Sequence, residues 1–198
     1  MMVNRRALLT LISGSGSFMT AGCLADETTR AGVTDYGNEL NSVDADIEFD
    51  DPENYPINVR GERSIFDFNA EERVFEEELG EDEVAGTELR PHGVQLLNAT
   101  ESPVIFDFLV YDSLNEHALH RDTYRVPQET EGRFSLMTPS LYLLHTRLPE
   151  VDIEQTLQVP CNIFDCNSSV THIGLFPNHE LNSLTFTTEV LCRETFTC

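Results

Sequence analysis

The chain reads as an all-β protein: an antiparallel β-sandwich, loosely immunoglobulin-like, over residues 91–198, preceded by a signal, an acidic tether and one short helix. Two observations predict the sandwich. From Pro91 onward, seven or eight runs of aliphatic, aromatic and β-branched residues recur every 10–15 residues. Turn-forming clusters divide them: Glu101-Ser102-Pro103, Asp112–Asn115, Pro127–Thr130, Pro139 and Pro149. A third observation, four cysteines near the C-terminus, suggests that the last strands are stapled.

Residues 1–22 are expected to be an export signal. Arg5-Arg6 lies ahead of Ala7-Leu8-Leu9, and the apolar stretch to Met19 is diluted by Gly14, Ser15, Gly16 and Ser17. A spanning helix needs about 20 consecutive apolar residues, so this segment is too short and too polar to anchor the chain itself. Paired arginines before a weakly apolar stretch suit twin-arginine export. Thr20-Ala21-Gly22-Cys23 resembles a lipobox, in which the Cys23 thiol takes a lipid and becomes the mature N-terminus. Thr20 departs from the usual leucine there, and a secretory signal with Cys23 incidental is the competing reading. The expected location is the outer face of the cell membrane, with the lipid on Cys23 as the membrane contact.

Residues 23–52 read as the lipidated cysteine and a flexible acidic tether. At about 5–6 Å × √n, such a length would span about 30 Å. Asp44, Asp46, Glu48, Asp50 and Asp51 invite a calcium-loop reading, but Phe49 stands where that loop needs glycine and Tyr55 where it needs glutamate. Residues 53–90 read as a mixed appendage. Ile57–Val59 and Ser64–Phe68 have strand character. Asn69 followed by Glu72 resembles a capping box, and Val74, Phe75 and Leu79 lead to Gly80, so a helix is expected over 70–79.

The expected strands of the main domain are 93–98, 104–111, 118–126, 132–136, 141–147, 154–159, 170–176 and 183–192. Residues 104–111 are apolar on both faces apart from Asp107, which predicts a central strand. The last two runs flank Pro177–Asn182 and read as a hairpin. Facing residues of a hairpin share a nearly constant sum of residue numbers. Cys166 with Cys192 gives 358 and Cys161 with Cys198 gives 359, a common centre near His179. The crossed pairing is far out of register. The nested pairs Cys166–Cys192 and Cys161–Cys198 are therefore expected, with local pairing of Cys161 to Cys166 and Cys192 to Cys198 the remaining option.

Charge is the strongest compositional signal. The chain has 35 acidic residues against 12 basic ones, a formal net charge of −23. All the basic residues are arginine. Removing residues 1–22 removes Arg5, Arg6 and no acid, which takes the charge to −25. Such a charge repels itself in ordinary buffer, whereas molar salt shrinks the Debye length to about 3 Å. Acidity, absent lysine and the Arg5-Arg6…Cys23 signal together resemble the exported lipoproteins of extremely halophilic archaea. That resemblance implies a surface built for molar salt, so the domain is expected to lose structure as salt falls. Nucleic acid is disfavoured as a partner, because no basic stripe meets phosphate.

Without lysine there is no Walker A loop and no Schiff-base enzyme; no G-x-G-x-x-G or G-x-S-x-G occurs. His179-Glu180-Leu181-Asn182-Ser183 starts like a zinc-protease motif and fails at Ser183. No catalytic residue and no cofactor is expected. A small metal or redox protein of cupredoxin type is the alternative, drawing on Cys161, Cys166 and His172, although no methionine follows Cys166. An extracellular hydrolase is the second, resting on abundant Asp, Glu and His. His92, His117, His120, His145, His172 and His179 each read more simply as surface or packed histidines. Asn98 and Asn167 head glycosylation sequons and are candidate modification sites. The expected role is a non-enzymatic envelope protein meeting an unidentified protein or glycan.

Overall fold

The computed structural model describes residues 47–57, 70, 72–81, 83–188, 191–192 and 197–198. The expected signal, Cys23, the tether up to residue 46 and the run 64–68 lie outside the described residues.

Among the described residues there are nine strands: β1 (Glu72–Leu79), β2 (His92–Asn98), β3 (Val104–Asp112), β4 (His117–Val126), β5 (Thr130–Leu136), β6 (Tyr142–Leu148), β7 (Ile153–Val159), β8 (Ser169–Leu175) and β9 (Leu181–Thr187). One sheet has the order β1-β5-β2-β8-β9 and the other β4-β3-β6-β7. They pack face to face as a β-sandwich. Period-two alternation explains why: Val94 and Leu96 on β2, Phe106, Phe108 and Val110 on β3, Phe134 and Leu136 on β5, and Ile173 and Leu175 on β8 all enter one core. Burying a side chain of this size stabilises the fold by about 1.5–3 kcal/mol. As its two apolar faces predicted, β3 is central, paired with β4 and β6.

The likeness to an immunoglobulin domain extends to the two-layer architecture and stops at connectivity. Immunoglobulin domains keep their last two strands beside the third. Here β8 and β9 lie beside β2, in the other sheet from β3. The sheets are also not wholly antiparallel, since β1 runs parallel to β5 and β2 parallel to β8.

The helix expected over 70–79 is instead strand β1. The local pattern favoured a helical turn, but the free edge of β5 offers a hydrogen-bonding partner and a slot. Gly132 on β5 forms that slot, because a Cβ there would lie 1.8 Å from the Phe75 ring. Phe75 fills it, stacks on Tyr124 with centroids 4.5 Å apart and meets Phe134 at 5.3 Å. A register shift between Arg73 and Phe75 seats the ring. Outward, Arg73 pairs with Glu76 at 3.0 Å and Glu131 at 3.2 Å. These contacts are partly exposed and contribute little in salt. They do put charge along an edge that would otherwise invite another strand.

Residues 47–57, half of which fell within the expected tether, lie as a strap on the outer face of the β4-β3-β6-β7 sheet. Phe49 packs on Tyr111 (5.0 Å), His145 (6.2 Å) and Tyr55 (6.3 Å). The Asp50 amide donates to the Tyr55 hydroxyl at 3.0 Å. The Gln158 amide on edge strand β7 donates to the Pro56 carbonyl at 3.1 Å. The alternating acids of this stretch surround one aromatic that the domain holds.

Candidate functional site

Strand directions give the sandwich two distinct ends. One carries the start of β2 and β8, the turn after β3 and the segment between β7 and β8. Phe164 closes it, its ring 6.1 Å from both His92 and Tyr142. Disulfides join Cys161 to Cys198 and Cys166 to Cys192, with Cα–Cα distances of 5.9 and 5.5 Å. Paired β8 and β9 residues sum to 356, as in Ser169 with Thr187. The cysteines lie just beyond this ladder, where the chain has left strict register. The Cys166 amide and the Asn167 Nδ2 each donate to Cys192 Sγ at 3.1 Å. Bonded in this way, the sulfurs are not thiolate ligands. Among the described residues, no group of three or more His, Cys, Asp and Glu is arranged to hold a metal ion.

The same end buries three titratable groups, His92, Asp112 and Tyr142. His92 is fully buried on β2, its Nδ1 bonded to Ser169 Oγ at 2.8 Å and its Nε2 to Thr171 Oγ1 at 2.9 Å. Thr171 continues to Thr185 at 2.7 Å. A serine beside an imidazole resembles a nucleophile and its base. Yet burial pushes His92 down to about 3, and its other nitrogen meets a hydroxyl where a catalytic imidazole meets a carboxylate. The arrangement cross-links β2, β8 and β9.

Asp112 closes the β3–β4 turn. Its carboxylate accepts from the Leu114 and Asn115 amides, the Asn115 side chain and Ser140 Oγ, at 2.7–3.1 Å. Burial opposes ionisation, but the bonds from Asn115 and Ser140 outweigh it, so the carboxyl titrates below its ordinary value. Burial holds the nearby Tyr142 phenol well above its usual range, with Asp112 and then Glu83 adding to the effect.

The opposite end is organised by Asn98. It is fully buried; its Nδ2 faces the carbonyls of Ser102, Val126 and Pro127 at 2.8–3.0 Å. Its Oδ1 accepts from the Thr100 amide and hydroxyl. Asn98 is one of the two residues expected as candidate modification sites. The amide nitrogen that would carry a sugar is committed to three carbonyls inside the protein. Asn167, the other candidate, is 6 % exposed with Nδ2 bonded to Asp165 and Cys192. Sequons report a tripeptide, and here the tripeptides serve as internal turn locks.

The remaining histidines are dispersed. His117 and His120 both lie on β4, but a bulge between their pairings with Asp112 and Val110 turns Leu119 and His120 together toward the interior. His120 Nε2 bonds to Tyr124 at 2.7 Å, and Tyr124 Oη reaches Glu77 at 3.5 Å across the seam between β4 and β1. Burial lowers His120, and Glu77 and Asp122 partly offset it. His145, bonded to Thr156 Oγ1 at 2.9 Å under the strap, is also lowered by burial, with Glu154 pulling back. His172, against Phe186, is pushed down to about 4 by burial and then by Arg133. His92, His120, His145 and His172 are thus all pushed toward the neutral form by burial.

No protein-family profile matches the chain, and no curated protein does. Two surface features stand out by geometry: the strap on the outer face of the β4-β3-β6-β7 sheet and the turns at the end that carries Asn98. Phe49 and the Tyr124–His120–Glu77 seam were missed from sequence. A lone aromatic among alternating acids was the signal for the first, and the in-strand Gly132 for the second.

Proposed function

We propose that this chain is a non-enzymatic, lipid-anchored protein of the cell envelope that displays a disulfide-stabilised β-sandwich outside the membrane for interaction or support. The observation that carries the reading is the Arg5-Arg6 signal ending at Cys23, joined to a domain with two disulfides. Disulfides persist in oxidising surroundings, in keeping with export. The buried His92 and Asp112 are occupied in holding strands and turns, which favours a display role over catalysis. The strap supports a fixed exit for the chain that leads from the anchor. The strongly acidic composition, with three ion pairs among the described residues, supports a surface solvated in molar salt.

Two substitutions test the reading. Arg5→Lys with Arg6→Lys is expected to trap the unprocessed chain inside the cell, and Cys23→Ser to release a folded domain into the medium. Cell fractionation measures both. Export of the double-lysine variant, or retention of Cys23→Ser on the membrane, would overturn it.

A further inference from the structure

The turn between β8 and β9 is fixed before anything binds to it. The His179 amide donates to the Phe176 carbonyl at 2.9 Å, and the Phe176 amide to the Glu180 carbonyl at 3.2 Å. Asn178 closes the turn on itself, its Oδ1 accepting from the Glu180 amide and its Nδ2 donating to the Glu180 carboxylate. His179 takes a left-handed φ of 59° to complete it.

Beside this turn lies an open groove of about 370 Å³ lined by Phe176, Pro177, Asn178 and Asn182. The lining combines an aromatic ring, a pyrrolidine ring and two carboxamides, with no charged side chain among them. Phe176 is half-buried, whereas Pro177, Asn178 and Asn182 are exposed. The volume is at the small end of the range for ligand sites, enough for one or two rings.

The chemistry selects the ligand. Aromatic and pyrrolidine faces accept flat C–H surfaces, the Asn182 carboxamide offers a donor and an acceptor to hydroxyls, and Asn178 adds the second N–H and lone pair that Glu180 leaves. Glu180 beside the groove and the net charge of −23 repel anions. In molar salt, recognition between charges is screened within about 3 Å, while stacking and amide–hydroxyl bonds persist. We propose that this groove binds a neutral oligosaccharide, one or two sugar units deep. The proposal rests on the display reading and gives it a partner class. The groove lies at the end of the sandwich opposite Tyr111 and Gln158, where the strap attaches, a strand length or roughly 20 Å away. Anchored through the strap, the domain would hold the groove outward.

The test uses the mature chain carrying Cys23→Ser, in molar potassium chloride, followed by amide NMR. Maltotriose, cellobiose and diacetylchitobiose serve as neutral probes and a galacturonate trimer as the charged one. The expected result is a saturable shift confined to residues 174–182 with at least one neutral probe. Asn182→Ala should weaken it about tenfold or more while the rest of the spectrum is unchanged. Phe176→Ala should abolish it, and Phe176→Leu, which keeps apolar bulk at the turn and removes the aromatic face, should weaken it about tenfold should the alanine variant disturb the turn. No saturable shift with any neutral probe, shifts centred elsewhere, or tighter binding of the galacturonate would each overturn the proposal. Because no membrane is present, a negative result leaves the anchor untouched, and a failed anchor leaves the groove untouched.

Discussion

At one end of the sandwich, two disulfides, a buried histidine and a buried carboxylate hold the loops; at the other, the uncharged Asn98 does comparable work through hydrogen bonds alone. The first end depends on redox state and proton concentration. The second depends on neither, because an amide does not titrate and its partners are backbone carbonyls. In an acidic protein this division has a physical logic. Salt screens exposed charge, so stabilisation independent of ionic strength has to come from covalent bonds, apolar burial and neutral hydrogen bonds. The end with the candidate groove is built from the most salt-indifferent of these.

The largest way to break the contrast is covalent. Replacing Cys166 and Cys192 with serine is expected to cost about 3–4 kcal/mol, given the 26-residue separation they close. Denaturant unfolding in molar salt measures the loss. Hydrogen exchange should place the added opening around residues 161–169 and leave 98–104 protected; uniform loss of protection would contradict two independently held ends.

Acid is the next lever. His92 titrates at about 3 in the folded chain against 6.5 when unfolded. Protons therefore prefer the unfolded state: the contribution is intact above pH 6.5 and is lost as pH falls toward 3. At pH 4.5, two pH units below the unfolded value, the loss is on the order of 3 kcal/mol. His172, lowered to about 4, adds slope in the same window. Chemical denaturation across pH 4–7 should thus show a decline that His92→Gln flattens in part. A slope unchanged by that substitution would remove His92 from the account.

At the other end, Asn98→Ala should cost about 2 kcal/mol, since it takes the Asn98 side-chain partner from the buried Val126 carbonyl and the Thr100 amide. Unlike the acid effect, that loss should be constant from pH 4 to 7. Smallest of all, Glu129 holds a left-handed φ of 57° in the β4–β5 turn. Glu129→Gly removes that strain and should stabilise by about 0.5 kcal/mol, read as a small rise in Tm.

These details also show what local sequence carries. Alternation in 104–111 and 132–136 was legible because a half-buried strand repeats every two residues whatever it pairs with. The strand β1 was not, since Glu72–Leu79 contains no sign that β5 needs a neighbour. The slot that receives Phe75 is 57 residues away at Gly132. The bulge at Leu119 escaped for a similar reason: His117-Ala118-Leu119-His120 reads as plain alternation until Phe134 gives His120 a reason to turn inward. Sequence spacing placed the facing ends of β8 and β9 within two residues, whereas the expected end at 192 lies five residues beyond Thr187. The burial of Asn98 and Asn167 was invisible, because a sequon is defined by three residues and burial by the whole fold.

The central claim is that this sandwich is held on a membrane through Cys23, and intact mass spectrometry of the chain extracted from membranes under non-reducing conditions tests it most directly. The expected species is a polypeptide beginning at Cys23, carrying the added mass of a diacylglycerol and lacking four hydrogen atoms for two disulfides. A chain that retains residues 1–22, or an unmodified Cys23 thiol on a membrane-bound protein, would contradict it.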